Sequence, residues 1–238
     1  MVRFWTERGL FEPTAPVQDL GARLGAWLDV RQAIQLHQLL GTGTDTPARG
    51  RPLASESGRW VEETLTSLRE AILMDRFAPG LWRNPMPVDG VWQPMVWVDF
   101  WEPYRRYMAD HQKQIALILG RLRRRLREAL SDAGGTCHAL AQIDAVFDQT
   151  LTPRETRLLA SLPFKYEHRL ATLVKGLDLQ AQDSLPPGSV SNPLTRRPPK
   201  PEWLLSFEHD MRQSLLAELE LRSQPVLGLL DALKAHSP

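Results

Sequence analysis

The chain has a single cysteine, Cys137, in 238 residues. With no second thiol there is no internal disulfide, and nothing here suggests a secreted disulfide scaffold. Long hydrophobic runs are missing too: no stretch approaches the roughly 18 apolar residues of a membrane span. Arg3, Glu7, Arg8 and Glu12 interrupt Met1 to Leu20, so no signal peptide is expected. Net charge is close to zero, with Lys plus Arg 29 against Asp plus Glu 28. That balance gives no global drive towards nucleic acid or anionic lipid, and such binding would need a local patch. The expectation is a globular cytoplasmic chain without membrane insertion.

Sequence signatures of chemistry are also scarce. The histidines are His37, His111, His138, His168, His209 and His236. None forms an H-x-x-x-H, H-E-x-x-H or E-x-x-H pair, so the spacings that put two metal ligands on one helix face are missing. Cys137 and His138 are neighbours near a helix start, where a thiol pKa tends to fall. Adjacent helical residues point about 100° apart, which rules out a direct thiolate–imidazole pair. Gly41-Thr42-Gly43 lacks the third glycine of a dinucleotide loop. No Lys-Ser or Lys-Thr closes a phosphate loop, and there is no G-x-S-x-G elbow. No catalytic residue, metal site or cofactor is assigned.

What is present is helical patterning. Leu20, Leu24, Trp27 and Leu28 recur at helical spacing within Pro16 to Leu40. Asp29 three residues before Gln32 reads as a capping box restarting a second short helix, with Gly41 as its stop. A further helix is expected over Ser57 to Phe77. Prolines 79, 85, 87 and 94 then exclude a continuous helix. The clearest element spans about Phe100 to Asp132. Its Tyr104, Met108, Ile115, Ile118, Leu119, Leu122, Leu126 and Leu130 fall in a band about 120° wide. Gly134 and Gly135 end it. Thr136 to Leu151 reads as the next helix, and Thr152-Pro153-Arg154-Glu155 as the start of another, kinked at Pro163.

Residues 181–201 hold six prolines and few apolar anchors, the composition of a flexible linker. The last element, Glu202 to Ala235, carries Leu204, Phe207, Met211, Leu215 and Leu219. The stripe continues past Pro225, where a kink is expected. The fold class is therefore all-α: a helical bundle of six to seven helices with a long central helix and a Trp/Pro-rich irregular segment. Residues 1–180 form the helical domain, 181–201 the linker and 202–238 a kinked helix packing back on it. The last helix is expected antiparallel to the long one, its Glu202, Glu208, Asp210, Glu218 and Glu220 facing Arg121, Arg124 and Arg127.

Two features stand out. Eight tryptophans are many for this length, and Trp82, Trp92, Trp97 and Trp101 cluster among prolines. They are candidates for a partner-binding surface, since Trp dominates interface hot spots. The competing structural reading has them covering the open end of the core. The second feature is the arginine run Arg121, Arg123, Arg124, Arg125 and Arg127, with Arg105, Arg106 and Lys113 earlier in the same helix. On a helical wheel these lie away from the leucine band and form a candidate cationic face. It could bind phosphates or be a solvated surface paired with acidic helices.

Three segments carry a resemblance: Leu20 to Leu28 (LGARLGAWL), Tyr104-Arg105-Arg106-Tyr107, and Asp210 to Leu233 (DMRQSLLAELELRSQPVLGLLDAL). In this order, with the proline-rich linker in place, the chain resembles a proteobacterial family of helical proteins classed as a domain of unknown function. The resemblance implies no enzyme activity and no catalytic residues. It implies a genomic setting beside proteins similar to stator-type proton channels and peptidoglycan-binding proteins. The function expected first is a non-enzymatic helical interaction protein docking on a protein partner, a cytoplasmic accessory of an envelope complex. The alternatives are a nucleic-acid-binding regulator using the arginine face, and an enzyme with an unrecognised site.

Overall fold

The computed structural model describes residues 5–6, 26–41, 46–48, 54–74, 97–182 and 201–236. The side chains of residues 97–99 and 176–182 lie outside that description. Among the described residues the regular structure is all helical. Helix α1 spans Val30–Gly41, α2 Ala54–Met74, α3 Trp97–Ala133, α4 Gly135–Leu159, α5 Leu162–Gln182 and α6 Glu202–Ala235. The full count of helices also depends on stretches outside the described residues. Trp82, Trp92, the proline-rich crossing around them and residues 183–200 of the linker are among those stretches.

The start of α1 shows how local sequence sets an element boundary. The Gln32 backbone N–H donates to Asp29 Oδ1 at 2.7 Å, and the Asp29 N–H donates to Gln32 Oε1 at 3.0 Å. This reciprocal pair is the capping box that the D-x-x-Q spacing suggests, and it satisfies two N–H groups without intrahelical partners. The α3–α4 corner is equally local in origin. Gly134 and Gly135 have φ of +72° and +52°, values an L side chain rarely adopts. A Cβ on Gly134 would also sit 2.6 Å from the Thr46 carbonyl oxygen, while Gly135 N–H donates to that same oxygen at 2.9 Å. Both the turn and the close approach of residues 46–48 therefore require glycine at position 134.

The core is built on α3. Tyr104, Tyr107, Met108, Ile115, Leu119, Leu122, Leu126 and Leu130 are all buried, which matches the apolar band. Arg124 lies on the opposite, exposed side. Truncating Leu122 or Leu126 to Ala should cost about 2–5 kcal/mol through lost burial and a residual cavity. Arg124→Ala should change stability by no more than about 0.5 kcal/mol. Chemical denaturation of the three variants checks the helix phase, and equal losses at Leu122 and Arg124 would show it to be wrong.

Side-chain pairs give the direction of each helix. Arg123 meets Asp144 and Asp148, while Gln112 meets the Leu159 carbonyl. Numbers rise on α3 as they fall on α4, so α4 runs back along α3. Tyr166 OH bonds the Asp210 carbonyl and Ser214 Oγ, and Arg169 meets Asp210, so α5 opposes α6. On α6, Phe207 and Glu208 meet Tyr104, and Glu218 meets Gln112. Both sets of numbers rise together, so α6 runs parallel to α3, and the antiparallel expectation is corrected. The reason is topological. Helices α4 and α5 together carry the chain back along α3, so α6 is entered at the end where α3 begins.

Two boundaries also differ from the sequence reading. Helix α4 continues through Thr152 and Pro153 to Leu159. Thr152 does not cap a new helix; its hydroxyl donates to Asp148 Oδ1 one turn back at 2.7 Å. The carbonyl of Gln149, deprived of a donor by Pro153, belongs to an exposed residue that water can serve. The break falls instead at residues 160–161. Pro163 then sits in the first turn of α5, where a missing N–H leaves no helical bond unmade, so it opens that helix rather than kinking it. Helix α6 is continuous through Pro225. In the preceding turn, Ser223 Oγ and Gln224 Nε2 both donate to the Glu220 carbonyl.

Candidate interaction surface

Helix α3 carries the cations singled out in the sequence, and the fold sorts them into distinct environments. At its start Arg105 and Arg106 both bond Glu102, at 2.6–2.7 Å. The Arg105 guanidinium, helped by Arg106, holds the Glu102 carboxyl down at about 2. Further along, Arg123 grips Asp144 with Nε and Nη2 and Asp148 with Nη1, while Arg127 Nη1 bonds both aspartates. These side chains are mostly buried, with Arg123 at 13% and Arg127 at 18% exposure. Burial tends to raise the Asp148 pKa, but its bonds from Thr152 and Arg127 outweigh this and leave it below the usual value.

Arg125 takes a different role. Its guanidinium lies 4.0 Å from the ring centroid of Trp60 on α2, a cation–π contact. The arginine run is therefore not one cationic face. Arg123 and Arg127 face α4, and Arg125 covers a tryptophan. Lys113, Arg121 and Arg124 are exposed. Sequence reasoning placed the acids that answer these arginines on the last helix. They stand on α4 instead, because α4 is the helix that runs alongside that flank of α3.

The tryptophan cluster divides as well. Trp101 is buried and stacks on Tyr104, with centroids 6.4 Å apart and planes 13° from parallel. For this residue the core reading holds, and it does not belong to a partner surface. Trp97 lies in the first turn of α3, its side chain outside the described residues, as are Trp82 and Trp92.

The residues that sequence reasoning missed are buried polar groups on α6. Glu208, Asp210, Ser214 and Glu218 are all inside the protein, and the three acids among them do not face Arg121, Arg124 and Arg127 as expected. Each meets a specific partner. Tyr104 donates to Glu208 Oε1 at 3.0 Å. Burial, with the Glu208 charge beside it, pushes the Tyr104 phenol well above its usual value, so it remains a donor. Arg169 pairs with Asp210 at 2.6 Å. Ser214 takes hydrogen bonds with Tyr166 and with the indole N–H of Trp5, which is 209 residues away in sequence. Glu218 receives Gln112 Nε2 at 2.8 Å and Arg222 Nε at 2.9 Å. Arg222 also lies 3.4 Å from Glu155 on α4. Burial pushes both Glu155 and Glu218 above the ordinary carboxylate value.

A signal for these groups was present. At 100° per residue Glu208 and Glu218 fall within the band defined by Leu204, Phe207, Met211, Leu215 and Leu219, not opposite it. An acid inside an apolar stripe needs a buried partner. His111 in the α3 band is the same case: it is buried, and its Nδ1 donates to the Tyr107 carbonyl at 2.9 Å. Cys137 is buried and burial raises its pKa, which disfavours the thiolate. Among the described residues no group of three or more His, Cys, Asp or Glu is arranged to hold a metal ion. Nor is any described helix long and apolar enough to cross a membrane.

Fold and site together define an all-helical protein whose inner polar groups tie helices to one another. The chain belongs to the family described as Protein of unknown function (DUF3348), matched over residues 1–235. Neither the curated proteins nor the solved structures contain a match.

Proposed function

We propose that this chain is a non-enzymatic helical interaction protein that docks on a protein partner in the cytoplasm, as an accessory of an envelope complex. The envelope setting rests on the family resemblance. The docking reading rests on one observation: the inward-facing acids and arginines of α3, α4, α5 and α6 are engaged with each other. Such groups fix helix register and leave recognition to the outer helix faces. The nucleic-acid alternative draws on fewer cations than the arginine run suggests, because Arg123 and Arg127 are held by aspartates. Affinity purification of the tagged full chain from its native host, with and without nuclease, is the test. A protein recovered reproducibly after nuclease treatment is expected. Recovery of nucleic acid, with every protein lost on nuclease treatment, would overturn the reading.

A further inference from the structure

Once the paired cations of α3 are set aside, a defined stripe remains on its outer face. Lys113, Leu117, Gly120, Arg121 and Arg124 are all exposed. At 100° per residue they share one side of the helix over about three turns, or roughly 16 Å. Neighbouring contacts bound this face. Arg125 reaches α2 through Trp60 on one flank, and Arg123 and Arg127 reach α4 on the other. Among the described residues none of Lys113, Arg121 and Arg124 has an ion-pair partner, whereas the other α3 arginines are engaged with Glu102, Asp144, Asp148 or Trp60.

Two further features lie between the free cations. Leu117 is 45% exposed, an apolar contact point in the middle of a charged stripe. A Cβ added to Gly120 would meet no atom of the described residues within 4 Å, so no described neighbour requires glycine there. Glycine in an exposed helix interior is destabilising relative to Ala. It also lets a second helix approach the backbone closely.

We propose that this stripe is the docking site for an acidic amphipathic helix of a protein partner, with carboxylates meeting Lys113, Arg121 and Arg124 and an apolar residue seated on Leu117 over Gly120. The proposal rests on the interaction reading above and names its surface and the partner's chemistry. Charge complementarity selects the occupant. A second copy docking through its own α3 would set like charges against each other. A second copy using another face would make a head-to-tail contact, which builds a ring or a filament and not a two-fold pair. Three cations in line, with a leucine between them and no stacking aromatic on the stripe, are a poor match to a nucleic-acid strand.

The test is direct binding to the full-length protein. The probes are a synthetic leucine-striped helical peptide with glutamates flanking the stripe, the same peptide with lysines in place of glutamates, and single-stranded DNA. The glutamate peptide should bind and the lysine peptide should not. Leu117→Asp should weaken glutamate-peptide binding by roughly tenfold or more, and so should combined Lys113→Glu, Arg121→Glu and Arg124→Glu. Both variants should keep the wild-type melting temperature, because all four side chains are exposed. No binding of the glutamate peptide, equal binding by Leu117→Asp, tighter binding of DNA through the same cations, or self-association lost on Leu117→Asp would each overturn the proposal. Should the Leu117→Asp protein still retain the wild-type partner from the native host, this site is wrong while the interaction reading stands.

Discussion

A chain ended at Gln182 is expected to lose cooperative unfolding and to bind a hydrophobic dye in dilute buffer. Helix α6 contributes Leu204, Phe207, Met211, Leu215, Leu219, Val226, Leu229, Leu230 and Leu233 to the core. Each buried side chain of this kind is worth about 1.5–3 kcal/mol, so together they exceed about 10 kcal/mol. That is comparable to the whole stability of an ordinary domain, about 5–15 kcal/mol. Removal would also uncover the α3 residues Tyr104 and Gln112 that face α6, and strand Arg169 on α5. Thermal melting by circular dichroism and dye fluorescence read the outcome. A shortened chain that melts as sharply as the full one would mean that α6 is dispensable to the core.

Arg222→Ala should be the most damaging single substitution among the charged residues, and its effect should depend on pH. Glu218 is fully buried, and Arg222 is 8% exposed. Removing one partner of such a pair costs about 3–5 kcal/mol at neutral pH, because the remaining charge is left without compensation. The sign of the pH effect follows from Glu218, whose pKa in the fold already lies above its ordinary value of 4.5 through burial. A carboxyl raised in the fold holds a proton that the unfolded chain has released. Stability is therefore lost as pH rises through 4.5 and up to the folded value, and regained on acidification. Without Arg222 this effect grows, so the variant should recover towards wild type near pH 5. Glu155 contributes in the same direction. Asp148, held low, acts oppositely: its contribution is present above its unfolded value of 3.8 and fades as pH falls below it. Urea unfolding at pH 7 and pH 5 separates these terms. A loss for Arg222→Ala that is equal at both pH values would contradict the assignment.

What could be read from the sequence was local. The Asp29–Gln32 box, the Gly134-Gly135 corner, the phase of Leu122 and Leu126 and the passage of α6 through Pro225 each depend on neighbouring residues or one helical period. Features that depend on distant partners were misread. Thr152-Pro153-Arg154-Glu155 carries every local mark of a helix start. The chain nevertheless stays helical there, and the extra turns carry Glu155 to Arg222 and bury Leu159 beside Gln112. The arginines were correctly placed off the leucine band, but which helix would answer them is a topological fact that no periodicity contains. The direction of α6 is of the same kind: an apolar stripe is indifferent to whether its neighbour runs up or down. Trp5 is the extreme case, a residue near the chain start whose indole bonds Ser214 on the final helix.

The candidate site was only partly legible. Wheel projection finds the exposed side of α3, but not which of its cations remain free. That depends on Asp144 and Asp148 from α4 and on Trp60 from α2. Lys113, Arg121 and Arg124 become a distinct stripe only after those neighbours are in place.

Parallel packing of α6 on α3 within one chain underlies all of this, since it turns the acids of α6 inward and leaves the outer face of α3 open. Electron paramagnetic resonance on spin-labelled pairs measures it directly. Cysteines replacing Glu202 and Arg105 place labels at the starting ends of α6 and α3. Replacing Glu202 and Asp132 instead spans from the start of α6 to the end of α3. Native Cys137 is buried and hindered from labelling. Parallel packing in one chain gives the shorter distance for the 202–105 pair, by an amount that approaches the roughly 40 Å of helix between positions 105 and 132. That distance should persist when labelled protein is diluted with unlabelled protein through unfolding and refolding. A shorter distance for the 202–132 pair, or a short distance that vanishes on dilution, would contradict it.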